Sequence, residues 1–244
     1  MKYRVGIAHA GDGSASIWVF DLPGCRAVGK DLDEARALLP IVVAEHASWL
    51  RRHGEEVPEE ADFEPVEEVD LRGEFVFEAD KAALSDAELE TALRHISHAQ
   101  ADLIAVAKPL PTIVRQWRPP NSAVKIDFVP DARQIDEMLV HVAGVEAGYY
   151  LGSLSDAAPP ILTPEPEDAF VLADATAARI RAWTAEVKGG RVYRQSTPRG
   201  EGFWTARKVL RRIMAHKRFH TKEIEQRLAW LTLGVPEVLP QNRE

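Results

Sequence analysis

The sequence predicts an α+β N-terminal module, a small antiparallel sheet with one helix, followed by an all-α four-helix bundle. We place the module in residues 1–75 and the bundle in residues 76–244. Short apolar runs that alternate with polar residues precede residue 30, and this period of two is typical of strands. Beyond about residue 80, apolar residues recur at the spacing of an α-helix. A chain of 244 residues is also longer than a typical single domain.

The first 75 residues contain three short strand signals, a helix and a further strand. KYRVGIAH and ASIWVFDLPGC are joined by AGDGS, which predicts a hairpin, and RAVGKD predicts a third strand. DLDEARALLPIVVAEHASWLRRHG begins with an acidic turn and ends at Gly54, as a helix does. FEPVEEVDL predicts an edge strand, because proline is tolerated at the edge of a sheet.

This stretch resembles the HicB-like antitoxin fold. The resemblance is carried by the opening strand, by VFDLPGCRAVGKDLDEARA and by the helix that ends before GEEVP. In that family a DNA-binding segment often follows the module, and none follows here, so we expect no DNA binding. The resemblance implies a protein partner for the module, such as a small RNA-cleaving toxin whose basic surface an acidic module would complement.

Four helical patterns make up the predicted bundle. The first, SDAELETALRHISHAQADLIAVAKPL, begins with Ser85 as N-cap and Glu88 three residues later, a capping box. The others are DARQIDEMLVHVAGVEAGYYLGSL, EDAFVLADATAARIRAWTAEVKGG and GFWTARKVLRRIMAHKRFHTKEIEQRLAWL. Two connections are rich in proline, and RVYRQSTPRGE joins the last pair of helices. Amphipathic helices of this length favour a bundle with one shared core.

Three histidines in these patterns are candidate metal ligands. His216 and His220 are four residues apart, which places them about 40° apart around a helix and about 6 Å apart along it. His141 lies on the apolar face of the second helix, where a buried imidazole needs a partner. Three imidazoles from two helices would hold one divalent transition ion, zinc or nickel, and leave a position open for substrate. The alternative is that the three rings only pack or form hydrogen bonds.

Residues 80–235 resemble the DinB/YfiT-like metal-binding four-helix bundles. HVAGVEAGYY and WTARKVLRRIMAHKRFHTKEI carry the match, and the family's metal triad corresponds to His141, His216 and His220. The resemblance implies a metal-dependent hydrolase or thiol-dependent transferase. Such an enzyme would act on a small-molecule substrate with a low-molecular-weight thiol, and would form a homodimer through the bundle. The rival hypothesis is a non-enzymatic interaction protein, in which the HicB-like module binds a protein partner and the bundle is a metal-stabilised scaffold.

Each of the other candidate site residues has both a functional and a purely structural interpretation. Arg212, one turn before His216, could hold an anionic substrate, or could belong to a basic surface. Tyr149, two turns after His141, or its neighbour Tyr150 could donate a proton, or could pack at a helix end. Glu137 could orient a ligand, although a surface glutamate is the commoner case. We expect His95 and His98 to be packing or surface residues.

Composition excludes several classes of protein. A formal net charge of −8 and a pI near 5.6 argue against broad binding to nucleic acid or to anionic membranes. No run of about 18 apolar residues occurs, and the N-terminus lacks the pattern of a signal peptide. The single cysteine, Cys25, forms no intrachain disulfide, and we expect a structural role for it. These features predict a cytoplasmic protein.

Overall fold

The computed structural model describes residues 2–58, 62–71, 75–118, 133–155, 163–182, 189–197 and 200–233. The N-terminal part consists of β1 (Tyr3–Ala10), β2 (Ala15–Val19), β3 (Arg26–Gly29), α1 (Leu32–Arg52) and β4 (Phe63–Leu71). A 3₁₀ turn (Glu78–Lys81), α2 (Asp86–Ala107), the short α3 (Thr112–Arg115) and α4 (Ile135–Gly144) follow; α4 continues as a π-helical turn (Val145–Tyr150). The chain then forms a second 3₁₀ turn (Pro166–Phe170), α5 (Leu172–Arg181), β5 (Tyr193–Thr197), β6 (Gly200–Trp204) and α6 (Ala206–Leu233).

The N-terminal sheet has four strands in the order β3-β2-β1-β4, and it is mixed. β1 pairs antiparallel with β2, as the hairpin signal predicts, and β2 pairs antiparallel with β3. β4, however, runs parallel to β1, so the prediction of a purely antiparallel sheet is wrong. The reason is the 21-residue helix α1, which connects one edge of the sheet to the other and returns the chain in the direction of β1.

Local capping signals locate the starts of α1 and α2. The Asp31 side chain accepts a hydrogen bond from the Glu34 N–H and begins α1. Ser85 and Glu88 form the predicted capping box, with the Ser85 Oγ accepting from the Glu88 N–H at 3.2 Å. Each cap pairs a backbone N–H that has no partner within its own helix, which is why the cap fixes where the helix begins.

The all-α description of residues 76–244 is not confirmed. The segment predicted as a connection, RVYRQSTPRGE, supplies most of a hairpin in which β5 and β6 are antiparallel. The predicted fourth helix therefore loses its first residues: Gly202–Trp204 belong to β6, and the Lys208 N–H is capped by the Thr205 hydroxyl at 3.2 Å. The predicted third helix is a 3₁₀ turn followed by the ten-residue α5, and its last residues, 183–188, lie outside the described residues.

One hydrophobic cluster joins the two predicted parts. It contains the inner face of the sheet and of α1 together with residues of α2 and α6, among them Val5, Ile17, Leu39, Leu93, Ile96, Ile213 and Met214. Polar contacts follow the same seam: the Trp49 indole donates to Asp102 at 2.7 Å, and Arg94 forms a bidentate pair with Glu55. The division at residue 75 stays a prediction, and separating the two parts would expose apolar surface on both.

Helix α6 is the element that positions the candidate site, because it contacts three other helices. Arg218 and Lys222 reach Glu45 on α1, and Lys217 reaches Gln100 on α2. A third face carries His216 and His220 towards α4. None of the helices in the described ranges is both long enough and apolar enough to cross a membrane.

Candidate metal centre

The structure brings the three candidate ligands together. His141 comes from α4, and His216 and His220 come from successive turns of α6. Their Nε2 atoms converge: His216 Nε2 lies 3.2 Å from His141 Nε2 and 3.1 Å from His220 Nε2. One potential ligand atom from each residue lies within 4.8 Å of the other two. In the part of the chain that the structure describes, this is the one group of three or more such residues that meets that limit.

These separations fit a zinc-like ion. Two imidazole nitrogens that each lie about 2.0–2.1 Å from a tetrahedral ion are about 3.3 Å apart. Hydrogen bonding among the rings is the alternative explanation, but an Nε2 atom has one in-plane position and can join one well-aligned pair. Hydrogen bonds alone would leave one of the three converging nitrogens without a partner, whereas one ion would satisfy all three.

A carboxylate fixes the orientation of one ligand. Glu223 Oε2 lies 2.5 Å from His220 Nδ1, and the two side chains are 7% and 3% exposed. The carboxylate accepts a hydrogen bond from Nδ1–H, so the lone pair of His220 is on Nε2, the atom that faces the other rings. Sequence reasoning proposed Glu137 for such a role and missed Glu223. The His-x-x-Glu spacing in α6 was the available signal.

Burial keeps the other two ligands neutral. Burial, followed by the proximity of His220 and of Arg133, lowers the pKa of His141 to about 4. Burial, followed by the proximity of His220 and of His141, holds the pKa of His216 well below its usual value. A neutral imidazole has a free lone pair, so at neutral pH both residues are in the form that binds a metal ion.

Two aromatic residues lie beside the triad. The Tyr150 ring is 5.7 Å from the ring of His216 and nearly perpendicular to it, and the Phe219 ring is 5.1 Å from the ring of His220. The Tyr149 ring packs instead against Trp204, at 5.0 Å, and its proposed role as a proton donor stays a prediction. In a regular α-helix the residue one turn after Val145 on the same face would be Tyr149. Here the segment is a π-helical turn, whose hydrogen bonds join residues i and i+5, so Tyr150 takes that place.

The remaining candidates occupy other surroundings. The Arg212 guanidinium lies over the ring of Trp18 on β2, 5.3 Å from its centroid, and its role in binding an anion stays a prediction. The Glu137 carboxylate accepts hydrogen bonds from Gln134 N–H, at 2.7 Å, and from Arg118. Cys25 is buried, and burial raises the pKa of its thiol to about 12, as expected for a structural residue.

His95 and His98 belong to a separate polar cluster between α1 and α2, which agrees with a packing role. The His98 ring stacks on His53 at 4.4 Å, and its Nε2 lies 3.0 Å from Glu55 Oε1. His95 is 6% exposed and its Nε2 lies 3.5 Å from the same carboxylate. Neither residue belongs to the group of three candidate ligands.

Comparison with known proteins adds no family assignment. No protein-family model, no curated protein and no solved structure matches the chain. The functional conclusion therefore rests on the geometry of His141, His216 and His220.

Proposed function

We propose that the protein binds one divalent transition ion, zinc or nickel, through His141, His216 and His220, and that it is a metal-dependent enzyme of the DinB type. The convergence of three Nε2 atoms at 3.1 and 3.2 Å is the observation that supports this most directly. All-imidazole ligation suits zinc and nickel better than magnesium or calcium, which prefer oxygen ligands.

When bound, the ion would supply Lewis-acid chemistry, either polarising a substrate or lowering the pKa of a bound water or thiol. The chain's own residues prepare the site. Glu223 holds the His220 ring in one orientation and one tautomer, and burial holds His141 and His216 neutral. Tyr150 places an aromatic ring beside His216. Three protein ligands leave a fourth position for a small-molecule substrate, and the hydrolase and the thiol-dependent transferase are the two reactions we propose.

Elemental analysis of the purified protein tests the metal site. We expect about one equivalent of zinc or nickel in the wild-type protein and a loss of most of it in His141→Ala, His216→Ala and His220→Ala. His98→Ala is the matched control, because His98 is a half-buried histidine of a different cluster, and this variant should keep its metal. Retention of a full equivalent by His216→Ala would exclude the tripod. Turnover of thiol-ester and amide substrates, with and without a low-molecular-weight thiol, then separates the two reactions.

A second candidate function is supported by the surface of β4. This edge strand has no hydrogen-bonded neighbour on its outer side among the described residues, and it carries Glu64, Glu67, Glu68 and Asp70. An acidic edge fits the alternative proposal, in which the N-terminal part binds a basic protein partner and the metal only stabilises the fold. The two functions differ in one observable: metal removal abolishes turnover in an enzyme, whereas a scaffold shows no turnover and loses only stability.

A further inference from the structure

A fully buried ion pair lies beside the triad. Lys217 Nζ contacts Glu146 Oε2, and both side chains are 0% exposed. Lys217 Nζ also donates to Gln100 Oε1 at 2.8 Å, and the Thr176 hydroxyl donates to the other oxygen of Glu146. Gln100 Nε2 in turn donates to the backbone carbonyl of Ala169 at 2.6 Å. The four side chains come from α2, α5, α6 and the π-helical turn that continues α4, and all are buried.

Stability alone does not account for such a pair. Removing two charges from water costs free energy that their attraction only partly returns, and apolar side chains of similar size are often as good or better. What a buried ion pair of this kind supplies is uniqueness, since a shift of one helix past another would leave a charge without its partner. The network therefore holds α6 in one register against its neighbours.

The pair lies next to the metal ligands along both helices. Lys217 follows His216 directly and precedes His220 by three residues. Glu146 lies five residues after His141, at the start of the π-helical turn. The register of α6 against α4 decides the distance from His141 to the other two ligands. A metal site tolerates ligand displacements of only about 0.2 Å, and a helix shift of about 1 Å would separate the triad.

We propose that Glu146 and Lys217 are positioning residues for the metal site: their ion pair sets the register in which His141 meets His216 and His220. This inference rests on the proposed metal centre. It assigns to the two residues no contact with the ion or with substrate. It also explains why the network extends to Gln100 and Thr176, because these two hydrogen bonds fix the side-chain conformations of the pair.

The test uses the full-length double variant Glu146→Gln/Lys217→Met, which removes both charges and keeps an acceptor for Thr176. We expect metal affinity, measured by competition with a chromophoric chelator, to fall at least about tenfold. The visible absorption of the Co²⁺-loaded protein should change as well, because it reports coordination geometry. A merely structural pair would lower the melting temperature of the metal-free protein and leave the Co²⁺ spectrum unchanged.

The matched control is Asp80→Asn/Arg211→Met. It neutralises another buried ion pair, in which Arg211 of α6 has its Nη2 atom 2.7 Å from Oδ2 of Asp80 in the first 3₁₀ turn. Arg211 is more than one helical turn before His216. This variant should keep wild-type affinity and spectrum. If the Glu146→Gln/Lys217→Met protein does not fold, Thr176→Val carries the test, since it removes one hydrogen bond to Glu146 and changes no charge; it should weaken metal binding.

The positioning role would be overturned if Glu146→Gln/Lys217→Met kept the wild-type metal affinity and Co²⁺ spectrum. If that double variant does not fold, the same result in Thr176→Val would overturn it. The metal centre itself would stay intact in either case. A wild-type protein that binds no ion would overturn the metal centre, and the positioning role with it.

Discussion

Glu223→Gln is the substitution that tests the metal centre most selectively. The glutamine has the same shape as the glutamate, so the packing around a side chain that is 7% exposed is kept. What is lost is the negative charge 2.5 Å from His220 Nδ1, which fixes the tautomer and makes Nε2 a stronger donor. The ligand itself remains in place, which distinguishes this variant from His220→Ala.

The expected effect is a 10- to 100-fold loss of metal affinity, the usual result of removing a carboxylate that supports a metal-bound histidine. That range corresponds to about 1.4–2.7 kcal/mol of binding free energy. We expect an effect within it because both partners are buried, where a charge-assisted hydrogen bond is screened little by solvent.

The assay is a chelator-competition titration at neutral pH on the wild-type protein, Glu223→Gln and Glu225→Gln. Glu225 is an exposed residue of the same helix, so its variant controls for the loss of one negative charge from α6. Thermal unfolding of the metal-free proteins shows whether the fold is kept. A dissociation constant for Glu223→Gln within twofold of the wild-type value would refute the reasoning, because the carboxylate would then not support the ligand.

Three further results are expected. The free energy of unfolding of the metal-free protein should fall between pH 7 and pH 5, because burial lowers the pKa of His46, His141 and His216 in the folded state. The unfolded chain therefore binds more protons than the folded chain between these pH values, which favours unfolding as the pH falls. Equal stability in urea at pH 7 and pH 5 would contradict the lowered pKa values of these histidines. Trp49→Ala should cost about 3–5 kcal/mol and lower one cooperative transition of the whole chain, since Trp49 lies in the shared core and bonds to Asp102. A second transition at the wild-type temperature would instead indicate independent parts. Gly24→Ala should destabilise the protein by more than about 1 kcal/mol in urea unfolding. Gly24 has a φ of +84°, and a Cβ there would lie 2.7 Å from Met214 Sδ. Unchanged stability of this variant would contradict the prediction.

The candidate ligands could be found from the sequence because their signals are local. The spacing of His216 and His220 places them on one face of any helix, and the capping box at Ser85 needs only residues within one turn. His141 required one more assumption, that α4 and α6 face each other. Its position on an apolar face supported that assumption, and the structure places the three rings together.

Features that depend on partners distant in sequence could be established only by the tertiary structure. The parallel pairing of β4 with β1 and the pairing of β5 with β6 depend on which strand edges meet, and no residue pattern within a strand encodes the choice. The sequence left Tyr149 and Tyr150 as alternatives, and the π-helical turn, which changes the helical repeat, places Tyr150 beside His216. The Glu146–Lys217 pair could not be predicted from the sequence either, because the two residues are distant in sequence. Each residue looks like a surface charge in the sequence, and only the packing of α2, α5 and α6 around the π-helical turn buries the two charges against each other.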